Sequence, residues 1–226
     1  MRRRPGSLGL SGGGVVTLSL NEVEALARKA ARGSGFAWGI AEEAGKAARW
    51  LCASNVDGCA ALADYLAECD GADLSDGVQV QGRRWTSGTE PLCPLLAGVA
   101  LSDFADRLKD GELRLEKVAQ PILLAPFAAF SAEQLEVPVQ LSWNEACVLT
   151  DGTSLAIRGE IRAASAHVTA RVESRFDQAQ RQPACSRADP GTHSLAVLER
   201  LAHRTYAPAT EASRLSGAGA GLSDND

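Results

Sequence analysis

One stretch, from Leu18 to Leu51, constrains the fold of this chain more than any other. It reads LSLNEVEALARKAARG, then SGFAWG, then IAEEAGKAARWL, the pattern of two amphipathic helices joined by a glycine-rich bend. Ser19 and Glu22 have the spacing of a capping box, in which both side chains accept backbone N–H groups at the start of a helix. The stretch therefore predicts a tight helical hairpin.

The residues of this hairpin suggest how each helix is bounded and packed. Gly33 stands where the first helix would need a left-handed cap. Glu42 and Glu43 are expected in the first turn of the second helix, with Lys46 at i+4 from Glu42. One narrow seam, which lets two helix backbones approach closely, is formed by Ile40, Ala44, Ala47 and Leu51.

A third helix is expected to follow, opening at Asp57 or Gly58 and closing at Gly71. Its apolar face carries Leu62, Tyr65, Leu66 and Cys69. Residues 16–71 thus predict a three-helix unit. Such a unit cannot bury its apolar surface alone, so we expect it to pack on the sheet that follows.

Residues 78–173 predict a mainly β region. Strands are expected at VQVQ, ELRLEKV, PILLAPFAAF and VPVQLSW, a helical turn at SDFADRL, and a turn within GRRWTSGTE. The prolines at positions 121, 126 and 138 indicate strand edges, strand starts or bulges. The periodicity of residues 92–101 does not distinguish a buried strand from a short helix.

The strongest strand signal is the hairpin ACVLT, Asp151, Gly152, TSLAIRG. Asp-Gly favours a two-residue type I′ turn, which would pair Thr150 with Thr153 and Val148 with Leu155. Because both faces are largely apolar, we expect this hairpin in the middle of the sheet. The next segment, AASAHVTARVESR, alternates as a strand does and puts its histidine, at position 167, on the more polar face.

The last part of the chain holds a loop, a helix and an unusual terminus. Residues 174–193 lack periodicity, and Ser194 to Arg204 predict a helix. Residues 194–226 end in RTYAPATEASRLSGAGAGLSDND, in which GAGAG lacks the Lys-Ser/Thr of a P-loop. We expect residues 1–15 to be flexible and residues 16–226 to form a single α+β domain: a three-helix unit packed on a mainly antiparallel sheet.

Composition narrows the class of protein. The chain has 226 residues, 45% of them hydrophobic and 23% charged, with a net charge of -5. This balance is typical of a soluble protein and disfavours a nucleic-acid partner, which requires a clustered basic surface. No run is long and apolar enough for a signal peptide or a membrane span. The six cysteines form no C-x-x-C pair, so reduced thiols and a cytoplasmic location are expected.

Two segments carry a resemblance to a known family. LSLNEVEALARKAARGSGFAWGIAEEAGKAARWL and RTYAPATEASRLSGAGAGLSDND resemble a bacterial family known only as a domain of unknown function. The likeness extends over most of the chain after its first residues, Met1 to Gly14. It implies no activity, cofactor or catalytic residue.

Two functions are consistent with these features. The first is a site for a small anionic metabolite where the GAGAG segment meets the helix bend. Trp38 would form an apolar wall, and Glu42 or Glu43 would act as a base or hydrogen-bond acceptor. The other ligand-binding candidates are Arg214, Gly217, Gly219, Gly221 and Ser223. Asp224 and Asp226 are candidates for holding a hard cation such as magnesium.

The second function is a non-catalytic interaction or accessory protein. Small residues on the second helix would suit close contact between chains, in a homodimer or with a partner enzyme: Ala44, Gly45, Ala47 and Ala48. The spacing of residues in the sequence does not identify a nucleophile, a base and an orienting group that could act together. Catalytic residues, enzymatic activity and cofactors therefore stay unassigned.

Overall fold

Both helices and strands build this chain, which confirms the α+β class. The computed structural model describes residues 16–72, 77–88 and 91–206. Its α-helices are α1 (Leu20–Gly33), α2 (Trp38–Ala53), α3 (Gly58–Glu68), α4 (Pro94–Asp103), α5 (Ala125–Leu135) and α6 (Thr192–His203). Its strands are β1 (Leu18–Ser19), β2 (Gln79–Gln81), β3 (Arg84–Thr86), β4 (Leu113–Ala119), β5 (Val139–Trp143), β6 (Ala146–Thr150), β7 (Leu155–Arg158), β8 (Ser165–Val172) and β9 (Arg187–Ala188). Short 3₁₀ helices span Ala105–Asp110, Pro121–Leu124 and Gln178–Gln180.

The main sheet has seven strands in the order β2-β3-β4-β8-β5-β6-β7. β3 and β4 pair in parallel, and the other neighbouring strands pair antiparallel. β8 occupies the centre between β4 and β5, although it is the last of these strands in the sequence. A separate ribbon pairs β1 with β9. The predicted mainly antiparallel sheet is therefore confirmed.

β8 shows that the sheet has one covered and one open face. Ala166, Val168 and Ala170 are buried. His167 and Arg171, which alternate with them, are exposed. Successive residues of a strand point to opposite faces, so the helices lie on the side of the buried residues. The predicted alternation, with His167 on the polar face, is confirmed.

α1 begins with the capping box that the sequence predicts. The Glu22 N–H donates to Ser19 Oγ at 3.3 Å, and the Ser19 N–H donates to Glu22 Oε2 at 2.7 Å. Both bonds satisfy N–H groups that have no partner within the helix. The bond from the Ser19 backbone, followed by the bond from its hydroxyl, lowers the pKa of Glu22.

Small residues allow α1 and α2 to pack closely. Ala44 and Ala47 of α2 are buried. Gly45 faces α1, where an added Cβ would lie 2.8 Å from the Glu24 carbonyl oxygen. Arg49 Nη1 spans the same contact and donates to Glu24 Oε2 at 2.9 Å. The predicted seam is therefore confirmed, and it is formed within the chain.

α6 packs against α1 and α3 and assigns an unexpected role to Gly33. An added Cβ at Gly33 would overlap the carbonyl oxygen of Leu201. The prediction of a left-handed cap at Gly33 is wrong, because this residue still belongs to α1. The left-handed backbone, with a φ of 112°, belongs to Gly35. Gly33 is thus required for helix contact, and Gly35 for the bend.

An ion pair fastens the end of α6 to the end of α3. Both carboxylate oxygens of Asp70 accept hydrogen bonds from the Arg204 guanidinium, with 2.8 Å between Nη2 and Oδ2. Arg200 Nη1 lies 3.7 Å from the same Oδ2 atom. The hydrogen bonds from Arg204 lower the pKa of Asp70.

Two helices from the strand-rich part of the sequence connect the first three helices to the sheet. α2 contacts α4 and α5, and α5 also contacts β5 and β6. The ambiguous residues 92–101 contribute most of α4. The predicted strand at PILLAPFAAF is wrong, since this segment forms a 3₁₀ helix and the start of α5. Pro121 and Pro126 lie in the first turn of a helix, where no N–H partner is needed.

The β6–β7 hairpin has a different register from the one predicted. Thr150 pairs with Leu155 and not with Thr153, so the loop is longer than a two-residue turn. Asp151 Oδ1 accepts the N–H groups of Thr153 and Ser154 at 3.0 and 2.7 Å. This Asx turn satisfies the backbone of the longer loop and explains why the type I′ turn does not form.

The hairpin also lies elsewhere in the sheet than expected. Val148 pairs with Ile157, and β7 is the edge strand, so the mid-sheet placement is wrong. Its apolar outer edge is covered instead by a later segment, in which the Gln182 N–H donates to the Leu155 oxygen at 2.7 Å. An edge strand that another segment covers can be as apolar as a central strand, so its sequence wrongly indicated a position in the middle of the sheet.

Two short strands lie in segments predicted as turn or loop. GRRWTSGTE contains β3, and residues 174–193 contain β9. Strands this short leave no alternation in the sequence, and only their pairing with β4 and β1 defines them.

Gly33→Ala is expected to lower the free energy of unfolding by about 1–3 kcal/mol, because the methyl group overpacks the contact of α1 with α6. Urea unfolding measures the change. Gly39→Ala is the matched control, since an added Cβ at this helical glycine meets no atom within 4 Å. It is expected to be neutral or stabilising. Equal losses in the two variants would contradict this role of Gly33.

Asp70→Asn is expected to lower Tm near neutral pH by an amount that shrinks as the pH falls from about 7 to about 2. The pKa of Asp70 is depressed below its usual 3.8, so its stabilisation is present above that value and is lost as the pH falls through the depressed one. Calorimetry of the variant and the native chain over this range tests it. A pH-independent difference would rule out the ion pair as the cause.

Candidate functional site

The structure describes three of the residues that the sequence proposes for a ligand site. Trp38 is the first residue of α2 and is 57% exposed. The guanidinium carbon of Arg32 lies 5.3 Å from the centre of its indole ring. The other candidates lie outside the described residues: Arg214, Gly217, Gly219, Gly221, Ser223, Asp224 and Asp226.

Glu42 and Glu43 occupy different positions from those expected. Because α2 begins at Trp38, neither glutamate lies in its first turn, and that part of the prediction is wrong. Glu43, and not Glu42, makes the hydrogen-bonded ion pair with Lys46, with 2.7 Å between Oε1 and Nζ. The two glutamates therefore lie too far from the start of α2 to stabilise its dipole. Of the two, only Glu43 lines the depression described next.

A groove on the helical side of the molecule, which we call the helix groove, is bounded by α2, α4, α5 and the loop at Gly152. It encloses about 440 Å³. Its apolar surface comes mainly from Trp50, Phe127 and Phe130, and its charged side chains are Glu43, Lys46, Asp103 and Glu133.

Helical spacing brings these side chains together. On α2, Glu43, Lys46 and Trp50 recur at steps of three and four residues and therefore share one face. On α5 the same steps align Phe130 and Glu133 with Pro126. Two outward-facing helix stripes thus form opposite walls of the helix groove.

The two phenylalanines of the groove have different roles. Phe127 is 5% exposed, and an added Cβ at Gly98 of α4 would overlap its ring, so it fixes the packing of α4 against α5. Phe130 is 54% exposed and presents its ring to the groove. An exposed aromatic ring in a depression offers apolar contact to a ligand.

The charges of the groove are predominantly negative. Glu43 and Lys46 neutralise each other, and their hydrogen bond raises the pKa of Lys46. Asp103 and Glu133 have no hydrogen-bond or ion-pair partner among the described residues. Carboxylates beside aromatic rings attract a positive group through both Coulomb and cation–π interactions. The arrangement therefore favours an organic cation over an anion.

Sequence reasoning identified only Glu43 of this groove. Phe130 and Glu133 are missed because residues 121–130 are predicted as a strand, which hides their shared helical face. Asp103 is the last residue of α4, and no local pattern relates it to α5. The signal that could have found them is the i, i+3 pair of Phe130 and Glu133 after two helix-initiating prolines.

Two half-buried cysteines, Cys69 and Cys93, lack the chemistry of catalytic thiols. Cys52 and Cys59 are buried in the core. Cys69 is half-buried, and burial raises its pKa to about 12, while burial also raises the pKa of Cys93. A thiol with a raised pKa is protonated and weakly nucleophilic at neutral pH.

Within residues 16–72, 77–88 and 91–206, no group of three or more His, Cys, Asp or Glu side chains is arranged to hold a metal ion. In the same ranges no helix is both long and apolar enough to cross a lipid bilayer.

Residues 18–91 match the model of a family described as "Protein of unknown function (DUF3726)". The resemblance to a family without an assigned activity is therefore confirmed over this range, which includes the first of the two segments that suggested it. No curated protein matches the chain.

Two solved structures are similar to part of the chain. Malate dehydrogenase from Pyrococcus horikoshii OT3 has a TM-score of 0.49 and 9% identity, over 63% of this chain and 49% of that one. Malate dehydrogenase from Entamoeba histolytica has a TM-score of 0.44 and 9% identity, over 67% and 48%. This chain spans about half the length of each, and similarity at this level assigns no function.

Phe130→Ala is expected to change the free energy of unfolding by less than about 0.5 kcal/mol, because its ring contributes little to the core. Phe127→Ala is expected to cost about 3–5 kcal/mol, since it leaves a cavity between α4 and α5. Urea unfolding of both variants tests the contrast. A large loss for Phe130→Ala would assign its ring to the core and not to the groove surface.

Proposed function

We propose that this protein binds a small organic cation in the helix groove, with an apolar ring against Phe130 and an ammonium group near Glu133. The observation that carries the proposal is the meeting of an exposed aromatic ring and carboxylates without ion-pair partners in one depression. A volume of about 440 Å³ is within the range of small-molecule sites.

The aromatic wall supports a ligand with a ring. The buried Phe127 and the half-buried Trp50 line the groove together with the exposed Phe130 ring. A ligand ring that covers Phe130 removes apolar surface of both partners from water, at about 25 cal/mol per Å². Burial of this kind gives affinity, and the charged groups give orientation.

The charged wall supports a positive group. Asp103 and Glu133 project from different helices, α4 and α5, so a single ammonium group could be held between two walls. Binding is proposed in preference to catalysis, because the candidate nucleophiles of the groove are engaged otherwise: the Ser102 hydroxyl donates to the Phe127 oxygen, and the Lys46 ammonium group pairs with Glu43.

The anionic metabolite predicted from the sequence would require Arg214 and the residues 217–221, which lie outside the described residues. The described part of the groove has the opposite charge preference. We therefore retain the expectation of a small-molecule ligand and propose the opposite sign for its charge.

A contact surface for another protein is the second candidate function. Trp38 and Phe130 are large, exposed aromatic side chains, the type that dominates interface hot spots. The small residues first suggested for such a contact are already used between helices of the chain: Ala44, Gly45, Ala47 and Ala48. A homodimer or partner-enzyme complex would therefore rely on the exposed aromatic residues instead.

We also propose that the protein is cytoplasmic and that residues 16–226 form one domain. All six cysteines are free, which suits a reducing compartment. Buried residues from α1, α6 and β8 belong to one apolar cluster, which suits a single core.

Phenethylamine and phenylacetate test the charge preference, because they share a ring and differ in the sign of the attached group. Calorimetric titration of the full chain is expected to show binding of the amine at least about tenfold tighter, equivalent to about 1.4 kcal/mol. Because the chain has four tryptophans, only the part of the fluorescence quenching that Trp50→Phe removes would report occupancy of the groove itself. Tighter binding of phenylacetate would overturn the cation proposal and favour the anionic ligand.

Variants separate groove binding from weak attraction to an acidic protein. Glu133→Gln and Phe130→Ala are each expected to weaken amine binding about threefold to tenfold. Asp106→Asn is the control, because this carboxylate is 86% exposed and pairs with Lys109 away from the groove. An equal loss in all three variants would contradict a defined site. Native mass spectrometry showing a dimer that Phe130→Ala dissociates would support the second candidate.

A further inference from the structure

The helix groove carries a positive side chain on the wall that faces the carboxylates without ion-pair partners. Lys46 projects from α2, whereas Glu133 projects from α5 and Asp103 from α4. Among the described residues, Lys46 is the only Lys, Arg or His that lines the groove. The charge of the groove is therefore divided, with an excess of negative charge on one side and the positive group on the other.

Lys46 has hydrogen-bonding capacity that its own ion pair leaves unused. A lysine ammonium group carries three N–H donors. In Lys46 one of them donates to Glu43 Oε1 at 2.7 Å, and the other two have no acceptor in the part of the chain that the structure describes. The side chain is 61% exposed, so a ligand can reach these donors. Lys46 can thus bind a ligand carboxylate without breaking its bond to Glu43.

The bond to Glu43 also fixes where that carboxylate would lie. Glu43 and Lys46 are three residues apart on α2 and share one helix face, so their hydrogen bond holds the ammonium group on the α2 wall. The same wall carries Trp50, one helical turn further along. A carboxylate bound to Lys46 would therefore lie beside aromatic surface and opposite the acidic wall.

We propose that the helix groove binds an aromatic amino acid as a zwitterion. This ligand class rests on the function proposed above and adds a negative group to the ligand. The ring contacts Phe130, and the ammonium group lies near Glu133 and Asp103. The carboxylate accepts hydrogen bonds from Lys46 Nζ.

A zwitterion fits the divided charge better than either single ion does. A simple amine leaves two donors of Lys46 unused and is repelled by its charge. A simple acid leaves the carboxylates of Asp103 and Glu133 without a counter-charge and is repelled by them. The charges of an amino acid lie close together, and Lys46 can approach them from the α2 wall because its four-carbon stem is flexible.

Phenylalanine and phenylalanine amide test the proposal, because they share the ring and the ammonium group and differ in the carboxylate. Titrations are run at about pH 6, where the amino groups of both ligands are protonated. Calorimetry of the full chain is expected to show about fivefold tighter binding of phenylalanine, since one more ion pair forms with a partly exposed group. Equal affinities, or tighter binding of the amide, would overturn the proposal.

Lys46→Gln separates the two ligands further. The variant is expected to weaken phenylalanine binding about fivefold, because the carboxylate loses its partner. It is not expected to weaken binding of the amide, because the ammonium group loses a repelling charge. Retained binding of the amide also shows that the variant is folded. An equal loss for both ligands would show that Lys46 does not hold the carboxylate.

Lys109→Gln is the matched control. Lys109 is 58% exposed and makes the same kind of ion pair, with Asp106 three residues earlier at 2.8 Å, but it does not line the groove. This variant is expected to leave phenylalanine binding unchanged. A loss as large as that in Lys46→Gln would attribute the effect to the net charge of the protein and would contradict the proposal.

The enantiomers of phenylalanine give a further test. The ring, the ammonium group and the carboxylate contact different side chains, so the mirror image cannot make all three contacts at once. The affinities of the L and D forms are therefore expected to differ at least about threefold. Equal affinities would show that fewer than three groups are bound, and the proposal would be wrong.

The two proposals can be told apart when they fail. If phenethylamine does not bind, the proposed function is wrong, and the amino-acid ligand is wrong with it. If phenethylamine binds and Glu133→Gln weakens that binding, while phenylalanine binds no tighter than its amide, the groove is a cation site and only the amino-acid ligand is wrong.

Discussion

The close approach of α1 to its neighbours is the constraint on which the rest of the structure depends. Gly33 meets the backbone of α6 at Leu201, and Gly45 of α2 meets the backbone of α1 at Glu24. Backbones this near exclude even a methyl group, so dispersion contacts at both interfaces are dense. Because α6 lies near the other end of the described chain, the contact between α1 and α6 joins two segments that are far apart in the sequence. The seven-stranded sheet, with β8 at its centre, lies between these two segments in the sequence.

The helices in the middle of the chain form the walls of the helix groove. α4 and α5 are packed on more than one side, against α2 and, through α5, against β5 and β6. The part of α5 that remains exposed to solvent is a narrow stripe that carries Phe130 and Glu133. Together with the outer stripe of α2 it forms the helix groove. The groove therefore forms where the exposed faces of α2 and α5 meet, because the other faces of these helices are packed in the core.

The helix groove combines carboxylates with aromatic rings. A net charge of -5 biases the whole surface towards cations, but the aromatic wall is what would select a ligand that carries a ring.

The sequence by itself determined the local structure wherever one face of a helix or strand is buried and the other is exposed to solvent. The capping box at Ser19, the alanine-rich seam of α2 and the alternation of β8 all follow from such one-sided burial, and all are confirmed. Where burial is two-sided or an edge is covered, the periodic signal disappears, so α5 and the place of the β6–β7 hairpin were predicted wrongly. Only the tertiary structure decided the register of that hairpin, the contact of Gly33 with α6 and the helix groove. Each of these depends on residues that are far apart in the chain, and no local pattern records such contacts.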